Sequence, residues 1–61
     1  IPPASIGLHV YDADPAARFV FVNGARAREG DVLANGLRVD EITVEGTVLS
    51  CRGLRFLIRV Q

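Results

Sequence analysis

The chain has 61 residues, 49% hydrophobic and 23% charged, which is one small globular domain and too little for two. Seven Arg balance seven Asp and Glu and there is no Lys, so the net basic footprint of a nucleic-acid binder is missing. Cys51 is the single cysteine, which excludes an internal disulfide and a multi-cysteine metal site.

A chain of this size buries only about 60% of the surface its unfolded form exposes, so a marginal core and a use for a partner are expected. No apolar run approaches the length of a membrane span, and no signal peptide is visible in this window. The first residue is Ile1 and not Met, as expected of a piece of a longer protein whose anchor or targeting segment lies elsewhere. Residues 1–5, with Pro2 and Pro3, read as the end of a Pro-rich linker, and residues 6–61 as the domain.

Residues Ile6 to Tyr11 alternate. Ile6, Leu8 and Val10 are expected on one face, Gly7, His9 and Tyr11 on the other. This strand comes first, after the Pro-rich lead-in, and is expected at a sheet edge. Asp14-Pro15 fits an N-cap followed by the first residue of a short helical turn. The alternative, a cation held by Asp12 and Asp14, has too few oxygens for calcium.

Phe19-Val20-Phe21-Val22 runs into Asn23-Gly24, the strongest short-range signal for a two-residue hairpin turn. In that register Val22 faces Ala25, Phe21 faces Arg26, Val20 faces Ala27 and Phe19 faces Arg28. One face then carries Val and Ala, and the other two Phe opposite two Arg. In so small a domain the Phe are expected to be covered by a second sheet, with the Arg at its margin. Left uncovered, Phe19, Phe21, Arg26 and Arg28 have the composition of a protein–protein hot spot.

Asn35-Gly36 reads as a second turn. Beyond it Leu37 and Val39 share one parity while Ile42 and Val44 share the other, which predicts a β-bulge at Asp40-Glu41. Glu45-Gly46 and Arg52-Gly53 turn the chain again around a strand at Thr47–Cys51. In the last strand Leu54, Phe56, Ile58 and Val60 oppose Arg55, Leu57 and Arg59. About six short antiparallel strands with glycine at the turns predict an all-β fold, a small sandwich or partly open barrel.

The parts of an active site are missing. His9 is the only histidine and is expected on the rim, and no nucleophile elbow surrounds Ser5 or Ser50. Cys51 beside Arg52 is better read as a small apolar strand residue than as an activated thiol. The glycines form turns and no phosphate cradle. The chain is therefore read as a non-enzyme with no cofactor and no metal. The first strand is the leading binding candidate, because Ile6, Gly7, Leu8, His9, Val10 and Tyr11 include no Lys, no charge and no Pro to blunt an edge against strand addition. The Phe19, Phe21, Arg26 and Arg28 face is the second.

Asp14-Pro15-Ala16-Ala17-Arg18-Phe19-Val20-Phe21-Val22-Asn23-Gly24, followed by Arg28-Glu29-Gly30-Asp31, Leu37, Glu41-Ile42, Gly46, Val48-Leu49 and Gly53-Leu54-Arg55-Phe56, resembles the C-terminal periplasmic domain of the type II secretion system B family. The resemblance runs from about Leu8 to Val60. The domain is also similar to the homology region of the C protein of that machine and to pilotin-associated pilus proteins, small sandwiches of two antiparallel sheets. The resemblance implies a scaffold anchored in the inner membrane outside this fragment, with its C-terminal domain in the periplasm. It implies contact with the N-terminal periplasmic domain of the outer-membrane secretin, through the strand Ile6–Tyr11, and an ATPase partner that binds peptidoglycan. Ala27 stands where relatives tend to carry an aromatic residue, which predicts a thinner core face. The alternative function is direct glycan binding, for which the chain offers no Trp and only Tyr11.

Overall fold

The computed structural model describes residues 4–33 and 36–60. Six strands form two three-stranded antiparallel sheets. The first sheet is β1 (Ile6–Val10), β2 (Phe19–Val22) and β3 (Ala25–Ala27), and the second is β4 (Arg38–Ile42), β5 (Gly46–Cys51) and β6 (Leu54–Arg59), each in sequential order. Two meanders facing each other make the sandwich expected from the strand count. The Pro-rich lead-in Ile1–Pro3 and the residue Asn35 of the second Asn-Gly pair lie outside the described residues.

Turn chemistry sets both central hairpins. Asn23 and Gly24 have φ of 51° and 85°, as a type I′ turn requires, and the expected pairs Val22–Ala25, Phe21–Arg26 and Val20–Ala27 form. Arg52 and Gly53 repeat the geometry at φ 52° and 84°, and Cys51 pairs with Leu54. An arginine pays for that left-handed φ where asparagine adopts it readily. Arg52→Asn should stabilise the domain by about 0.5–1 kcal/mol, seen as a higher urea midpoint at unchanged slope.

Between β1 and β2, Asp14 caps a 3-10 turn at Pro15–Ala17, its carboxylate accepting the Ala16 N–H at 3.0 Å. Asp12 accepts the Asp14 N–H, so both carboxylates are engaged in turning the backbone. The bulge expected at Asp40-Glu41 is present: the ladder slips between Val39 and Glu41, which leaves Leu37, Val39 and Ile42 all fully buried despite their mixed parity.

The core joins Val20, Val22 and Ala27 of the first sheet to Leu37, Val39, Ile42, Leu49 and Cys51 on the side of the second. Phe56 and Ile58 pack against its margin, as the alternation in β6 implies. Ala27 is 1% exposed and belongs to that core.

Three expectations are corrected. The alternation of Ile6, Leu8 and Val10 fails at Gly7, where the ladder slips: Ile6 faces Val22, but Leu8 faces Phe21, His9 faces Val20 and Val10 faces Phe19. A glycine has no side chain to bury, so the extra residue of a bulge is accommodated there at little cost. His9 consequently lies on the core side, half-buried, with its Nε2 buried and without a hydrogen-bond partner among the described residues. Phe19 and Phe21 are not core: the second sheet packs on the Val20/Val22/Ala27 face, where the smaller side chains let the sheets approach, and the two Phe lie half-buried on the opposite face.

Candidate functional site

Free sheet edges are the first feature to place. β4 is covered on its outer side, because Gly30 N–H donates to Val39 O at 2.7 Å, Val39 N–H donates to Asp31 O at 2.9 Å, and Val32 bridges to Arg38. β3 is only three residues long. β1 and β6 remain, both outermost in their sheets. Residues along a strand alternate in the side to which they turn their N–H and C=O. A two-residue turn makes Val22–Ala25 a mutually bonded pair, so Phe21 turns its backbone toward β1 and Val20 turns away. Opposite them, Leu8 and Val10 turn inward to β2, and Ile6 and His9 turn outward. The hydrogen bond from Asn23 N–H to Ser5 O at 2.8 Å sets the same phase from the other end.

The second feature is the outer face of the first sheet. Cross-strand pairing puts Leu8 beside Phe21 and Val10 beside Phe19. The two Phe rings meet edge-on, with centroids 6.3 Å apart, and the Arg26 guanidinium lies 4.7 Å over the Phe19 ring. Arg28 does not join this stack; its guanidinium donates to the carbonyl of Ala16. Leu8 is 49% exposed. Leu8 and Val10 of the first candidate site thus share one face with Phe19, Phe21 and Arg26 of the second, an apolar face ending at the unpaired side of β1. Tyr11 lies beyond the strand, its ring under the Arg18 guanidinium at 4.6 Å.

The sequence reading missed a third feature, the role of Arg18 and Glu29. Arg18 pairs with Glu29 at 3.1 Å, donates to the Asp12 carbonyl at 2.6 Å, and reaches the Tyr11 hydroxyl. The same Glu29 oxygen accepts the N–H of fully buried Ile42 at 2.8 Å, which ties the first sheet to β4. Partial burial pulls the Arg18 pKa down, but hydrogen bonds and attraction from Glu29 and Tyr11 outweigh it, and the net shift is upward from the ordinary arginine value. The guanidinium is charged wherever the protein folds. Both side chains are engaged with one another and with backbone groups, so the pair reads as a structural tie. Cys51 is buried in the core at 6% exposure. Among the described residues no group of three His, Cys, Asp or Glu side chains gathers as a metal site would need.

The sequence model of the family described as type II secretion system protein B matches residues 1–60. The chain belongs to that family. It is 36% identical over 53 residues to general secretion pathway protein B of Aeromonas hydrophila, covering 87% of this chain and 24% of that protein. It is 34% identical over 58 residues to the protein of the same name from Dickeya dadantii, covering 95% of this chain and 26% of that one. The chain therefore spans about a quarter of the length of these curated relatives. The crystal structure of Dickeya dadantii GspB from the type 2 secretion system superposes with a TM-score of 0.83 at 34% identity, over 92% of this chain and 67% of that one. Within this protein B domain, much of the stretch carrying the family likeness is occupied by the fold itself: Asp14 caps, Arg18 and Glu29 tie the sheets, Asn23-Gly24 turns, and Asp31 accepts the Arg28 N–H.

Proposed function

We propose that this domain is a non-catalytic docking module of the secretion machine, which binds the N-terminal periplasmic domain of the secretin by adding a strand to β1. The observation that carries the reading is the free side of β1, where Ile6 and His9 turn their backbone groups away from β2 and no charge, Lys or Pro blunts the edge. A strand added there would extend the first sheet and bring its own side chains beside Leu8 and Val10, with Phe19, Phe21 and Arg26 behind them as a secondary contact. In this reading the domain lies in the periplasm, tethered through a preceding segment to the inner membrane, with a peptidoglycan-binding ATPase as a further partner of the whole protein. Direct glycan binding has less support, because the chain has no Trp and its single tyrosine, Tyr11, is stacked with Arg18.

The test is an amide NMR titration of the ¹⁵N-labelled domain with the cognate secretin N-terminal domain. Shifts should concentrate on Ile6–Val10 and spread to Phe19 and Phe21. No shifts at millimolar partner would overturn the proposal. A single variant sharpens it. Ile6→Pro removes an N–H that points away from β2 and should weaken binding roughly 100-fold while the domain stays folded. Val10→Pro is the wrong probe, since Val10 turns its N–H into the internal ladder and its loss would damage the sheet.

A further inference from the structure

The unpaired side of β1 does not open onto free solvent along its whole length. It forms one wall of a groove of about 690 Å³ lined by Ala4–His9 on one side and Ile58, Arg59 and Val60 on the other. The second wall is the end of β6, which is not paired with β1. Its phase follows as for β1. Cys51 and Leu54 bracket a two-residue turn and are a mutually bonded pair, so Leu54, Phe56 and Ile58 turn their backbones toward β5, and Arg55, Leu57 and Arg59 turn theirs outward. The bond from Val60 N–H to Glu45 O at 3.0 Å confirms that phase. Main-chain groups with no strand partner among the described residues therefore face the groove from both walls: Ile6 and His9 from β1, Arg59 from β6.

We infer that the groove takes a single extended segment of the partner and clasps it on both sides, pairing with β1 at Ile6 and with β6 at Arg59, so that the added strand joins the two sheets. This rests on the docking role proposed above and specifies how that site grips. Two walls of backbone donors and acceptors are satisfied together by an extended main chain, which carries both kinds of group along both of its sides. The size agrees. From the spacings along a strand, between strands and between sheets, each residue of an inserted strand fills roughly 160 Å³, so the groove holds about four residues. His9 lines the same groove, and its buried Nε2 has no hydrogen-bond partner among the described residues. Arg59, exposed and without an ion pair among the described residues, favours an acidic residue at that end of the segment.

Amide hydrogen exchange of the chain, free and saturated with the secretin N-terminal domain, tests this. Exchange at both Ile6 and Arg59 should slow at least about tenfold in the complex, while Leu57, outward on the same edge but beyond the groove, should not change. Arg59→Pro should weaken binding roughly tenfold, and Arg59→Gln, which keeps the N–H, by much less; Leu57→Pro is the control for edge prolines that spare the β5 ladder. Protection at Ile6 without Arg59 overturns the clasp and leaves the β1 reading standing. Protection at neither overturns both. Slow exchange of Arg59 in the free chain also overturns the clasp, since the edge would then be already paired.

Discussion

Gly46→Ala should cost about 3 kcal/mol, a large share of the stability of so small a domain. A Cβ built on Gly46 would stand 2.2 Å from the Ile58 carbonyl oxygen and 2.8 Å from the Arg59 Cα. Both are main-chain atoms of β6, so no side-chain rotamer can relieve the overlap; β6 itself must move. The residue is buried and opposite Arg59 in the ladder, at the point where β5 and β6 come together before the Glu45–Val60 bond. The backbone conformation is not the issue here, because Gly46 does not have a positive φ. The melting temperature should fall by roughly 15 °C, a slope expected for domains of this length. A fall of under about 3 °C would mean that β6 can shift freely. Partner binding would then be a second readout, since any movement of Ile58 and Arg59 alters the wall of the groove.

Glu29→Ala should cost about 2 kcal/mol, through the N–H of Ile42 that it leaves buried and unsatisfied. The carboxylate does two things with one oxygen: it accepts that N–H and it holds the Arg18 guanidinium at 3.1 Å. Glu29→Gln separates the two, since the amide oxygen still accepts the Ile42 N–H while the ion pair is gone. If the backbone contact dominates, Gln should recover about half of the loss or more in urea unfolding. If Gln is as damaging as Ala, the ion pair and not the backbone contact holds the sheets together. Neither change touches the free side of β1, so the secretin binding proposed above should remain near that of the parent at temperatures where the variants stay folded.

Much of the fold was legible in local sequence because local chemistry decides it. Asn23-Gly24 prescribes its turn and, with it, the register of three pairs down the hairpin. The parity change from Leu37 and Val39 to Ile42 exposes the bulge at Asp40, because a buried strand cannot change parity without an extra residue. Asp14-Pro15 declares its cap for a similar reason: the carboxylate answers orphan N–H groups within three residues of itself.

What the tertiary structure alone decided lies where side chains are silent or partners are remote. Gly7 carries no side chain, so its bulge left no mark on the alternation of Ile6, Leu8 and Val10, yet it sends Leu8 outward and His9 toward the core. Which hairpin face meets the second sheet was also undetermined locally: both were apolar enough, and packing chose the small Val and Ala side chains, leaving Phe19 and Phe21 on the outside. Arg18, Glu29 and Ile42 come from three separate segments, and the walls of the groove come from opposite ends of the chain. The sequence by itself determined the strands, the Asn23-Gly24 and Arg52-Gly53 turns and an unblunted first edge. Only folding in three dimensions could set that edge across from β6, because a contact between distant segments is a property of how the two sheets stack and not of either strand.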